Sequence, residues 1–149
     1  MNPTVRRVTT ADLDLVAPLF DAYRQFYGCA ADLDLARRFL GERLDLGESV
    51  IFVAVINGNG VGFVQLYPMF TSIGAKRAWI LNDLYVTPDA RRQGVGLALM
   101  DAARKMAEET GAAWMELATA KDNATAQALY RRCGYERDEK YDRFQLKLS

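Results

Sequence analysis

Residues 80–100, ILNDLYVTPDARRQGVGLALM, put a strand, a basic glycine-bearing turn and a helix start in immediate succession. Ile80, Leu81, Leu84, Tyr85 and Val86 are aliphatic, β-branched or aromatic and read as strand. Thr87, Pro88 and Asp89 end it, because proline has no N–H for a ladder and fixes its own φ. Beyond the turn, Leu99, Met100, Ala103, Met106 and Ala107 recur at helical spacing, and Gly111 stands where a helix C′ residue is favoured. The first amides of such a helix have no partners inside it and lie at the positive end of its dipole. Glycines there omit the Cβ atoms that would hold a phosphate away. The turn Arg91, Arg92, Gln93, Gly94, Val95, Gly96 and Leu97 is therefore a candidate anion site. It is not a P-loop, since no Gly-Lys-Ser/Thr is present, and the third glycine of a dinucleotide fingerprint is missing. The same residues also describe an ordinary βα turn.

A second stretch narrows the choice. In residues 123–135, NATAQALYRRCGY, Ala126, Leu129, Tyr130 and Cys133 share one helix face, with Asp122 or Asn123 as N-cap and Gly134 as the stop. Arg-x-x-Gly-x-Gly followed by Asn-x-x-Ala-x-x-Leu-Tyr-x-x-x-Gly-Tyr resembles the GNAT superfamily of acetyl-coenzyme A-dependent acyltransferases, over nearly the whole chain. The phrases Phe20-Asp-Ala-Tyr-Arg-Gln-Phe-Tyr27 and Leu81-Asn-Asp-Leu-Tyr-Val86 look like its bacterial histone/polyamine-acetyltransferase-like branch.

Length and composition fit that reading. The 149 residues are of single-domain size, and no linker or repeat suggests a second domain within 1–149. Nineteen basic residues balance nineteen acidic ones, which gives no general attraction to nucleic acid or anionic membrane. MNPTVRRVTT lacks the apolar stretch of a signal peptide and no run approaches a membrane span, so the cytoplasm is the expected compartment. Cys29 and Cys133 match no metal spacing and histidine is absent. A Ser-His-Asp triad, a histidine-paired thiol and a histidine-ligated zinc are excluded; no metal is expected.

Along the chain, 5–8 is expected as an edge strand, and Thr9 to Asp12 has capping-box spacing ahead of a helix bearing Leu13, Val16, Leu19, Phe20, Tyr23, Phe26 and Tyr27. A helix over 32–46 turns Leu33, Ala36, Phe39, Leu40 and Leu44 inward. Strands over 49–56 and 61–67 flank the hairpin signal Asn57-Gly58-Asn59-Gly60, and 68–76 is expected as loop. A strand near 78–86, the helix after the turn, a strand over 112–120, the 123–135 helix and an antiparallel pair over 135–139 and 141–148 complete the order. The fold class is α/β with a mixed sheet, β-α-α-β-β-β-α-β-α-β-β.

The resemblance implies that the central strand and the parallel strand after it splay apart. The pantetheine arm would enter that gap against the backbone of Leu84, Tyr85 and Val86, and the pyrophosphate would rest on the 91–97 amides. It places a general acid at Tyr130, for which the alternative is a core tyrosine, and a coenzyme contact at Asn123, for which the alternative is N-capping. Acyl transfer to an amine needs a neutral amine and a proton for the departing thiolate. A tyrosine of pKa about 10 stays protonated where a thiol of about 8.5 ionises, so it can donate.

The base is less determined. Related members carry Glu-Asp where this chain has Asn82-Asp83. Asn82 cannot take a proton, and strand alternation sends Asp83 to the other face unless a bulge intervenes. Asp83 or a water it orients is the candidate. Tyr23, Tyr27, Tyr67, Asn82 and Asp83, with Met69, Phe70 and Tyr141, are candidate substrate-binding residues, aromatics being able to hold a cation. The Asp12, Asp14, Asp32 and Asp34 cluster reads more naturally as helix starts than as a polyamine clamp. The expected activity is direct transfer from acetyl-coenzyme A to a small primary amine in a ternary complex, with a homodimer as the expected assembly. A non-catalytic acyl-coenzyme A sensor and a protein lysine or N-terminal acetyltransferase are the alternatives.

Overall fold

A computed structural model describes residues 2–149 and contains five strands, β1 (Thr4–Arg7), β2 (Val50–Ile56), β3 (Asn59–Thr71), β4 (Lys76–Val86) and β5 (Met115–Glu116). The helices are α1 (Leu13–Phe26), α2 (Leu33–Asp45), α3 (Val95–Glu109) and α4 (Ala124–Arg132). The chain divides into two compact units, one ending at Ala118 and the other Thr119–Ser149.

In the first unit the sheet order is β1-β2-β3-β4-β5, antiparallel except for the β4–β5 pair. The β2–β3 turn is Asn57 and Gly58, with φ 52° and 79°. Those two positive values are what a primed two-residue hairpin turn requires, and Asn-Gly tolerates them best. The capping box forms as its spacing predicts: Thr9 N donates to Asp12 Oδ2 at 2.9 Å, and a 3-10 turn over Thr10–Asp12 leads into α1. Asp32 caps α2 by accepting from Leu35 N at 3.1 Å. With Asp12 also paired to Arg6 and Asp14 to Arg37, three of the four aspartates of that cluster are taken by caps and ion pairs.

Side chains alternate across the sheet. On one face Val16, Leu19 and Phe20 of α1 and Ala36 and Leu40 of α2 close over Ile51, Val53 and Phe63. Burying a leucine or phenylalanine of this kind contributes about 1.5–3 kcal/mol. On the other face α3 buries Val95, Leu99, Met100, Ala103, Met106 and Ala107. It lies so close to β3 that a Cβ on Gly62 would sit 3.1 Å from Val95 Cγ1 and 3.2 Å from Leu99 Cδ1.

Four expectations need correction. Leu33 does not turn inward; it is 49% exposed at the start of α2. Residues 68–71 are strand, so the expected loop shrinks to a tight turn before Lys76. Pro68 is tolerated because β2 ends opposite Leu66, leaving β3 one neighbour at that level. The strand expected over 112–120 is only Met115–Glu116, because β4 and β5 pair at Trp79↔Met115 and Ile80↔Glu116 and no further. The pair expected over 135–139 and 141–148 does not form. Residues 135–139, YERDE, are poor strand formers, and Asp138 Oδ1 instead accepts from Lys140 N at 2.9 Å in a local turn. Phe144, Leu146 and Leu148 keep strand-like alternation yet are 96%, 83% and 88% exposed. No described helix is long and apolar enough to cross a membrane.

Candidate active site

The decisive local feature is a bulge in β4. Gln65 pairs with Asp83 and Leu66 with Leu81, so Asn82 is the extra residue. A bulge bends its strand and re-aims the side chains beside it. Asp83 thereby turns into the α1/α2 face, 6% exposed, while Asn82 stays at the surface and donates from Nδ2 to Asp83 Oδ1 at 3.1 Å. Gln65 Nε2 donates to Asp83 Oδ2 at 2.8 Å. Among the described residues no lysine or arginine lies in ion-pair contact with this carboxylate. A buried carboxylate held only by neutral donors is unusual, because burial of an uncompensated charge is costly.

Tyrosines surround it. Tyr23 lies against Asp83, whose charge acts on its phenol, and meets Tyr27 edge to face at 5.1 Å. Tyr85 closes on Tyr23 at 6.2 Å. Burial first, then the Asp83 charge, push the Tyr23 phenol well above its ordinary range. Burial and the Asp83 charge push Tyr67 up to about 12, opposed by the Arg43 guanidinium. Both therefore remain O–H donors at working pH.

A testable consequence follows for alkaline stability. Unfolding returns Tyr67 from about 12 to its ordinary 10.0. Between these values the unfolded chain binds fewer protons than the native one, so stability falls as pH rises. The melting temperature of Tyr67→Phe should decline less steeply than that of wild type from pH ~10 to ~12. Parallel declines would contradict the assignment.

The sequence-predicted residues Tyr23, Tyr27, Tyr67, Asn82 and Asp83 are thus brought together around one carboxylate. Phe70 is not among them: Arg77 stacks over its ring at 5.0 Å, and Met69 beside it is exposed. Tyr141 belongs to the Thr119–Ser149 unit. Gln65 was not anticipated, although a glutamine within the apolar run Phe63-Val64-Gln65-Leu66 was the available signal.

Three residues past Asp83, about 10 Å along the strand, β4 ends at Val86 and runs through Pro88–Ala90 into the turn before α3. Residues 81–86, including Leu84, Tyr85 and Val86, have no β5 partner. Arg91 Nε donates to the Val86 carbonyl at 3.1 Å, and Gln93 Nε2 to the Asp89 carbonyl at 3.0 Å, which ties the first side chain to the strand end and the second to the turn after it. Arg92 and Gly94 take positive φ, 63° and 78°. Gly94 is the N-cap and contributes no side chain, so the first helical amide with a partner is that of Ala98, on Gly94 O at 3.0 Å. The amides of Val95, Gly96 and Leu97 precede it and have no carbonyl within the helix to bond. A Cβ built on Gly94 meets nothing within 4 Å, so there is open space beside the N-cap that precedes these amides. This cradle fits a phosphate in both charge and room.

In the second unit Asn123 Oδ1 accepts from Ala126 N at 3.1 Å, the N-capping alternative, which leaves its Nδ2 for other contacts. Gly134 stops α4 at φ 92°. The half-buried Tyr130 lies 6.2 Å from the Tyr135 ring. A separate cavity of about 490 Å³ at the far end of the sheet, lined by Arg7, Ser49, Arg77, Trp79 and Thr110 among others, contains none of the predicted site residues.

The family model for the acetyltransferase (GNAT) family matches residues 16–135. An uncharacterized N-acetyltransferase, YhfO, of Bacillus subtilis (strain 168) is 47% identical over 134 residues, 90% of each chain. The crystal structure of a probable acetyltransferase superposes with a TM-score of 0.94 at 42% identity and 98% coverage of both chains. An aminoglycoside N(6′)-acetyltransferase type 1 of Stenotrophomonas maltophilia is 27% identical over 151 residues, covering 99% of this chain and 95% of that one. The chain belongs to the acetyltransferase (GNAT) family, and with it to the N-acetyltransferases, whose acyl donor is acetyl-coenzyme A.

Proposed function

We propose that this chain acetylates a small primary amine by direct transfer in a ternary complex, with Asp83 receiving the amine. The observation that carries this reading is the Asp83 carboxylate: buried, ringed by Tyr23 and Tyr67, without a cationic partner, on the strand that leads into the open amides of α3. An incoming ammonium supplies the missing cation, and the tyrosine faces favour it further. An aliphatic amine of pKa about 10 arrives protonated. Asp83 takes that proton and leaves a nucleophilic nitrogen. The relative named as an aminoglycoside acetyltransferase is consistent with a small polyfunctional amine as acceptor.

The amides of Val95, Gly96 and Leu97, with Arg92 beside them, are the groups that would hold the coenzyme diphosphate, and the unpaired edge at Leu84, Tyr85 and Val86 would take its pantetheine amides. The coenzyme supplies an acetyl thioester, activated toward the nitrogen. Tyr130 Oη holds the proton that the leaving sulfur takes, and Asn123 contributes its free Nδ2 to coenzyme contact. The nitrogen loses its second proton to solvent as the adduct collapses, Asp83 gives up the first to solvent, and solvent restores the Tyr130 hydroxyl.

Thiol release from acetyl-coenzyme A across a panel of monoamines, polyamines, aminoglycosides and amino-acid amides tests the proposal. At least one primary amine should give saturable release. Tyr130→Phe should lower turnover about 10²-fold, at the lower end for a general acid because thiolate is already a good leaving group, with coenzyme affinity unchanged. Tight coenzyme binding without release for any amine would identify a binding protein instead.

A further inference from the structure

Gln65 stands in the middle of β3 with its side chain 0% exposed. Its Nε2 donates to Asp83 Oδ2 at 2.8 Å, and its Oε1 is buried without a hydrogen-bond partner. The amide cannot be turned over, because that would set Oε1 against a carboxylate oxygen, acceptor against acceptor. The unmet oxygen is therefore a consequence of holding Asp83. Buried unsatisfied acceptors are rare and destabilising, and methionine or leucine would fill the same space without one. Packing alone does not account for a glutamine here. Asn82 grips the other carboxylate oxygen from the bulge, so two amides from two strands fix the plane of Asp83.

The charged and titratable groups facing Asp83 are Tyr23 of α1, backed by Tyr27, and Tyr67 of β3, with Arg43 of α2 acting at Tyr67. Tyr23 and Tyr67, both pushed up, do not ionise in the range where a carboxylate titrates.

We propose that Gln65 is a positioning residue for acyl transfer: its amide orients the Asp83 carboxylate toward the acceptor amine and stabilises its charge. This rests on the assignment of Asp83 as the amine-receiving group. Loss of a donor to a carboxylate disfavours its charged form. In Gln65→Met the acid limb of the kcat/KM profile should therefore move up by about one pH unit, which is a tenfold loss on the acid side. The alkaline plateau should stay a few-fold below wild type, from the lost orientation, and KM for acetyl-coenzyme A should not move. Gln65→Glu, which sets a second carboxylate against the first, should move the limb further in the same direction. A merely structural role would lower the rate equally at every pH and leave the limb in place. If Gln65→Met does not fold by circular dichroism, Gln65→Asn, whose shorter amide cannot reach 2.8 Å, is read by the same two outcomes. An unmoved limb in a folded, active variant overturns the Gln65 assignment alone. A wild type that acetylates no amine overturns both it and the proposed function.

Discussion

Asp83→Asn is expected to lower kcat/KM for the acceptor amine by about 10³-fold, within the range for loss of a positioned base. Asparagine has nearly the same shape and cannot take a proton. The amides of Gln65 and Asn82 retain one oxygen to bond. The carboxylate lies in a site 6% exposed with no cation beside it, so neutralising it relieves a desolvation cost. The melting temperature should therefore stay level or rise while activity falls. That opposition separates a catalytic role from a structural one, because a group kept for stability would take both down together. A variant within a few-fold of wild type on the best amine would remove Asp83 from the mechanism. Full loss with a lowered melting temperature would make it a structural residue.

Gly94→Val should abolish measurable coenzyme binding by calorimetry. Two effects combine. At φ 78° and ψ 10° a β-branched residue is strained, by about 1–2 kcal/mol or more in the left-handed region. Its side chain would also project into the open space beside the N-cap that precedes the first amides of α3. Gly94→Ala separates them: it carries much of the strain with one methyl group, so affinity should fall by a smaller factor. If valine bound the coenzyme as tightly as glycine, the diphosphate would have to sit elsewhere.

The parts of this fold that were legible in the sequence are those whose causes are local. Asn57-Gly58 names its own turn, because two adjacent residues supply both positive φ angles. Thr9 and Asp12 form a capping box with partners three residues apart. The buried stripe of α3, from Leu99 to Ala107, follows from its period alone. The open amides at 95–97 follow from a glycine N-cap, which is also a local matter.

Alternation alone misled at the C-terminal end, and at β4 the exception that the sequence left open, a bulge, is what occurs. The Phe144, Leu146, Leu148 pattern is that of a strand, but a strand requires a partner for its backbone groups, and 135–139 is too charged to be one. At Asn82-Asp83 strict alternation would have separated the two side chains; the bulge brought them to one carboxylate.

By itself, then, the sequence determined the helices, the hairpin turn and the glycine N-cap ahead of α3, since each depends on residues within a few positions of one another. The tertiary structure alone decided that Asp83 is buried and that Gln65 holds it. Both facts depend on the β3–β4 register, which places residues 18 positions apart in hydrogen-bond contact. Register is set by the packing of whole faces, and no short window of sequence contains it.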